Sequence, residues 1–343
     1  MKKTLIALSA ALLCGNAFAA TSQATSAPLA PETQAESQQP TSPQDEIQKL
    51  AYTAQNVKAP VEDRVAALRQ LSRYPNQNSL VAVARALKNE DALIREAAIV
   101  GAEPYKIENR WTMVSPLLSD DIEKVRITAA MNLIRDYNAL DDAQKKTIEP
   151  AYKELIAHLK TRTGQASQTL LADAYRWHHD WDNAETLYRT LLKDDNKNPQ
   201  IWLSLADNER GQMQDQKAIN ILDEALTLLP ENADIHYSKA LALVRLEKKL
   251  EASKEIKKAA TLAKTNSYYW YLDGVIQEEF DVTDATKSFE QAYMISGAPE
   301  QLYAVCDIYA RHNNPKTAQC LEELKKFAPP YVIEKLKQSK ISQ

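Results

Sequence analysis

The sequence predicts an all-α protein built from stacked helical hairpins, and three observations carry that expectation. The C-terminal half repeats itself every 34 residues. Ala172, Ala206 and Ala240 fall at that interval and Gly274 continues it; Ala184, Ala218 and Ala252 form a second series, and Leu191, Ala225 and Ala259 a third. A fixed period of this length marks hairpins whose apolar faces are covered only by the next copy. The 343 residues include only 6 Gly, against a usual share of about 7%, and Ala, Leu, Glu, Lys and Gln, all good helix formers, are abundant. Val, Ile and Thr nowhere alternate with polar residues for long enough to make a sheet strand.

The N-terminus reads as an export address. Lys2 and Lys3 precede a short apolar run over 4–14, and Ala17-Phe18-Ala19 supplies an A-x-A cleavage site before Ala20. Residues 1–19 are therefore expected to be a signal peptide. The apolar run is too short to span a membrane. Leu13 stands before Cys14 where a lipoprotein signal wants a small residue, so lipidation is not expected. The mature chain is expected in the periplasm. Residues 20–45 are Ser, Thr, Ala, Gln and Pro with little to bury, which predicts a disordered linker reaching about 28 Å as a coil.

Residues 46–140 carry a second period. Arg64, Arg95 and Arg126 are 31 apart, as are Ala67, Ala98 and Ala129. Each Arg precedes a small Ala by three residues on an amphipathic helix. The Ala admits a neighbouring helix, and the Arg can reach carbonyls or acids of the next unit. These segments (VEDRVAAL, ALIREAAI, IEKVRITAA) resemble HEAT repeats. Intervening helices are expected at 77–88 and 109–118. Residues 141–164 are expected to hold an adaptor helix, bent or broken at Pro150.

From about 165 to 330 the 34-residue unit takes over. In its second copy Trp202, Leu205, Ala206, Ala218, Leu222, Ala225 and Pro230 stand at packing positions, and the copy closely resembles a tetratricopeptide repeat. About five repeats are expected, the fourth lacking one residue in its turn, with 331–343 as a capping helix or tail. The resemblance implies a right-handed superhelical α-solenoid of HEAT-like then tetratricopeptide repeats. It also implies that the first helix of each hairpin lines a concave face.

A tandem of this kind is similar to the C-terminal module of certain bacterial multihaem c-type cytochromes, in particular over NRWTMVSPLLSDDIEKVRITAAMNLI. The chain has no CxxCH motif, so the redox role is not implied and no cofactor is expected.

Read by register, the concave face should present Tyr237, Tyr271 and Tyr303 at one position and Asp173, Asp207 and Asp307 at another. Arg176, Arg210, Arg245 and Arg311 lie beside them. Tyrosines with paired acids and arginines suit an extended peptide; Asp and Arg three or four apart also arise as ordinary helix-surface pairs. Tyr268 is expected to face the groove and Trp270 to pack. The tetratricopeptide pattern of Lys and Asn that clamps a C-terminal carboxylate is not matched.

Chemistry finds little support. No nucleophile elbow, HExxH or glycine-rich phosphate loop is present, and an enzyme is not expected. His178 and His179 are adjacent, so their rings diverge on a helix; the segment is expected to form a solvated hairpin turn, not a metal site. The formal charge of -4, lower by two once Lys2 and Lys3 are removed, argues against nucleic acid as a partner. Cys306 and Cys320 fall on opposite helices of the last hairpin, either as a disulfide or as two buried thiols. The expected role is that of an exported scaffold or adaptor for another envelope protein, docking it without a chemical step. An accessory factor for a multihaem cytochrome or other electron-transfer complex and a periplasmic chaperone are the alternatives.

Overall fold

The structure is a computed structural model, and residues 43–338 are described here. The expected signal peptide, Cys14, the linker up to residue 42 and residues 339–343 lie outside the described residues. The described residues form an all-α solenoid of 18 α-helices. The N-terminal part holds α1 (Pro43–Gln55), α2 (Val61–Leu71), α3 (Gln77–Ala86), α4 (Ala92–Gly101), α5 (Ile107–Val114) and α6 (Glu123–Ile134). Helix starts earlier than the sequence reading placed it. Pro43 opens α1, where its missing N–H costs nothing, and Asp45 and Glu46 sit in the first turn, where the helix dipole favours acids.

The 31-residue period has a physical cause. Ala67, Ala98 and Ala129 are buried where α2, α4 and α6 pack in sequence. At each unit an arginine stitches the stack. Arg64 Nε donates to Ala54 O at 3.2 Å. Arg95 donates to the carbonyls of Asn89 and Glu90 and to Asp120. Arg126 donates to the Asp120 and Asp121 carbonyls and to Glu154. Arg64 thus binds a carbonyl in the last turn of α1, while Arg95 and Arg126 each satisfy loop carbonyls with one end and an acid further along the chain with the other.

Helix α7 (Asp142–Lys160) runs unbroken through Pro150, so of the bend or break expected there the break does not occur. Proline removes one ladder bond, but the flanking turns are secured. Asp141 and Gln144 form a capping box at its start, and Ile148, Ala151, Tyr152, Leu155 and Leu159 are buried on one face.

The 34-residue units are hairpins: α8 (Gln165–Trp177) with α9 (Trp181–Asp194), α10 (Pro199–Gly211) with α11 (Asp215–Leu228), α12 (Ala233–Arg245) with α13 (Lys249–Leu262), α14 (Ser267–Gln277) with α15 (Val282–Ser296), and α16 (Pro299–Arg311) with α17 (Thr317–Leu324). Helix α18 (Pro330–Gln338) packs on α16 at the end. Ala172, Ala206, Ala240 and Cys306 are fully buried at the hairpin crossings. Three further features recur at the 34-residue interval. Asn198, Asn232 and Asn266 each cap the helix that follows. The side chains at 202, 236 and 270 each reach the carbonyl six residues back: Trp202 to Asn196 at 2.8 Å, His236 to Pro230 at 3.1 Å and Trp270 to Lys264 at 3.1 Å. His179, Met213 and Glu247 take positive φ in the hairpin turns, and Asn313 does so in the fifth. In the fourth hairpin α14 ends at Gln277 and α15 begins at Val282, and no residue between them takes positive φ.

Candidate functional site

Helices α8, α10 and α12 approach one another across repeats more closely than α9, α11 and α13 do. The first helices of these three hairpins therefore form the inner side of the stack, α14 and α16 take the same place by register, and the residues facing this side are the candidate site.

The predicted charges are on these helices, but the structure occupies most of them internally. In the first hairpin the fully buried Tyr188 donates its hydroxyl to Asp173 Oδ1 at 2.5 Å. Arg176 bonds that hydroxyl at 3.2 Å and Asp173 at 3.3 Å. Burial pushes the Tyr188 hydroxyl well above its ordinary range, so it stays a donor. In the second hairpin Arg210 pairs with Asp207 at 2.7 Å and touches Ser238 Oγ at 3.4 Å. Arg245 turns away from this row and binds Asp215, at the start of α11. In the fifth, Arg311 pairs with Asp307 at 2.8 Å and with Glu278, which His312 Nε2 also contacts at 2.8 Å. Burial raises the Glu278 carboxyl, but its bonds to Arg311 and His312 outweigh that and hold it below the usual range. The charges at 173/176 and 207/210 are therefore self-neutralised pairs, and Arg311 is shared between Asp307 and Glu278.

The tyrosines are half-buried, each with its ring root in the core. Tyr237 stacks on Tyr269 at 4.8 Å and meets Tyr268 edge-on at 6.3 Å. Tyr271 meets Phe289 edge-on at 5.6 Å. Tyr303 packs against the last core cluster, and burial with the nearby Asp307 raises its hydroxyl. Tyr268 is 51% exposed.

Sequence reading missed Tyr269, which is the buried ring of the aromatic run and donates to Asp234 at 2.5 Å. It also missed a buried polar knot in which Ser288 donates to Asp273 at 2.5 Å and Lys257 bonds Asp273 and Asp284. Burial raises the Asp273 carboxyl despite these bonds. No local motif announces such a knot, because its members come from three helices. The expected solvated turn at His178 and His179 is instead an aromatic joint. His178 stacks on Tyr152 at 3.8 Å and bonds Glu149 at 2.9 Å, while His179 stacks on Trp181 at 4.7 Å. Cys306 and Cys320 are joined by a disulfide, with their α-carbons 5.5 Å apart.

No protein-family model matches the chain, and no curated protein matches it in sequence. Among solved structures, it is similar to MamA at 20% identity and TM-score 0.39, over 48% of this chain and 94% of that one. It is similar to YrrB, described as a TPR protein with an unusual peptide-binding site, at 18% identity and TM-score 0.41, over 55% of this chain and 98% of that one. With yeast Tom70 the figures are 12% and 0.49, over 90% of this chain and 67% of that one. At these identities and scores no activity passes from them to this chain, whose architecture is read from its own helices.

Proposed function

We propose that this chain is a binding scaffold that docks a protein or peptide segment on the inner face of its 34-residue hairpins, with no chemical step. One observation supports this most: the inner face carries a row of half-buried tyrosines, Tyr237, Tyr271 and Tyr303, with Tyr268 standing exposed beside them. Tyrosine offers large contact area at low entropic cost, which suits it to anchoring a partner. Reading residues 1–19 as an export signal with its A-x-A site supports a periplasmic mature chain, and the Cys306–Cys320 bond suits that oxidising compartment.

The arginine-stitched 31-residue units followed by 34-residue hairpins constitute a HEAT-like and tetratricopeptide tandem. Its resemblance to the helical module of multihaem cytochromes supports, as the alternative reading, an accessory factor for an electron-transfer protein of the envelope. A general scaffold or chaperone differs from this by its range of clients.

The test is a crosslinking pull-down of the mature chain from its native envelope, beside a Tyr237→Ala, Tyr271→Ala, Tyr303→Ala variant shown to be folded by circular dichroism. One stoichiometric partner lost in the variant is the expected result. The same partner retained would move the site off the inner face, and the absence of haem protein from the captured fraction would remove the cytochrome reading.

A further inference from the structure

Three tyrosines of the third and fourth hairpins meet around one acid. Tyr269, at the start of α14, donates its hydroxyl to Asp234 Oδ1 at 2.5 Å. Its ring stacks on Tyr237 at 4.8 Å, and Tyr237 meets Tyr268 at 6.3 Å with the two planes 70° apart. Tyr237 and Tyr268 therefore make an aromatic corner, and the Tyr268 wall is exposed. Asp234 stands one turn before Tyr237 on α12 and is itself exposed.

This acid has no cation of its own. Arg210, whose charge reaches Tyr237, is held by Asp207 at 2.7 Å. Lys239, further along α12, is held by Asp223 and Glu255. Lys264, exposed in the loop ahead of α14, makes no ion pair with Asp234, and the exposed Glu231 ahead of α12 adds a second negative charge. Asp234 sits in the first turn of α12, where the helix dipole favours an acid. That setting explains an acid here; it does not explain the half-open aromatic corner beside it.

Resting on the binding reading above, we infer that this corner takes the side chain of an arginine on the docked segment, its guanidinium against the Tyr268 ring and its charge beside Asp234. Charge complementarity selects a cation, and the rings select which one. The face of a tyrosine attracts cations. A planar guanidinium stacks on a ring and donates to a carboxylate at once, which an ammonium does not. The arginine stem covers aromatic surface on the way in. Asp234 keeps acceptor capacity, because Tyr269 occupies only one of the lone-pair sites of its carboxylate. An acidic side chain placed here would meet Asp234 with no counter-charge. An apolar one would strip water from that carboxylate and return no hydrogen bond.

The experiment follows the NMR signals of isotope-labelled tyrosine rings in the mature chain as short capped Ser-Gln peptides are added. One peptide carries a central arginine, and others replace it with lysine, citrulline (the neutral isostere of arginine) or glutamate. The arginine peptide should move the Tyr237 and Tyr268 signals, bind more tightly than the lysine peptide, and weaken as salt rises. The citrulline and glutamate peptides should bind at least about fivefold more weakly. Asp234→Asn leaves an acceptor for Tyr269 while removing the charge, and should weaken the arginine peptide about fivefold. Tyr268→Phe should keep the affinity, because the ring and not the hydroxyl holds the cation, and Tyr268→Ser should lower it about fivefold. Each variant should melt at the wild-type temperature. Citrulline binding as tightly as arginine overturns the inference, as does an unchanged affinity in Asp234→Asn. Shifts confined to other tyrosines overturn the location, and lysine matching arginine overturns the guanidinium. Binding of none of the peptides overturns the inference outright. The scaffold reading itself fails separately, if the captured envelope partner survives the triple tyrosine variant.

Discussion

Arg95 holds Asp120 by two parallel hydrogen bonds, Nε to Oδ2 at 2.7 Å and Nη2 to Oδ1 at 2.8 Å. The side chains are 13% and 6% exposed, so neither charge is well hydrated without the other. Arg95→Ala should therefore cost about 3 kcal/mol, because it strands a buried carboxylate. Arg95→Lys should recover only part of that, since an ammonium cannot make the parallel pair. Urea unfolding of the mature chain checks both.

The same pair sets a pH dependence. The bond from Arg95 holds the Asp120 carboxyl below its ordinary value of 3.8. A carboxyl depressed in the folded state contributes stability that is complete above its unfolded value and lost as pH falls through the folded one. The urea midpoint of the wild-type chain should thus fall below about pH 4 more steeply than that of Arg95→Ala. Parallel midpoints through that range would mean that Asp120 titrates normally.

Met213 turns the second hairpin with φ at 60° and is 89% exposed. Its side chain makes little contact to offset a left-handed backbone, which costs a non-glycine residue about 1–2 kcal/mol. Met213→Gly should stabilise the chain by about 1 kcal/mol, after glycine's greater unfolded-state freedom is set against the relief. Glu247→Gly should act in the same direction. Asn313→Gly should gain less, since asparagine tolerates this conformation. Denaturant midpoints rank the three.

Gly274 stands where the first three hairpins carry Ala, because the ring of Phe289 lies against it. A Cβ at 274 would meet three carbons of that buried ring at 2.9 Å. Gly274→Ala should cost about 1–3 kcal/mol by overpacking, despite the better helix propensity of alanine. Adding Phe289→Leu should restore much of the loss. If Gly274→Ala alone is stabilising, the ring moves freely and the contact is not tight.

How far the sequence disclosed the fold follows from where the information lies. Hairpin spacing was legible because Ala172, Ala206 and Ala240 must all be small for helices to cross. The arginine stitching was legible because Arg64, Arg95 and Arg126 recur at one interval, and each reaches a backbone carbonyl. Of the bend or break expected at Pro150 the break did not occur, because burial of Ile148, Ala151 and Tyr152 on one face outweighs one missing ladder bond. At the site, residue positions on the inner helices were legible, but their partners were not. Asp173 faces Arg176 along its own helix and also Tyr188 from the next, and only the second of these contacts depends on packing. The joint of His178 and His179 was hidden for the same reason: Tyr152 and Glu149 come from α7.

Cys306 occupies the crossing position that Ala172, Ala206 and Ala240 fill in other hairpins, and all four are fully buried. Alanine therefore fits there without strain, which lets the covalent bond be tested apart from packing. The bond to Cys320 closes a loop with a sequence separation of 14, for which chain entropy predicts about 3 kcal/mol. Because each hairpin touches chiefly its neighbours, that loss should be local. A Cys306→Ala, Cys320→Ala chain should show faster amide exchange over α16 to α18 and near-normal exchange over α8 to α11. Dithiothreitol should reproduce this in the wild-type chain and change nothing further in the variant. Uniformly faster exchange along the whole solenoid would mean that the last hairpin is a cap on which the stability of every other repeat depends.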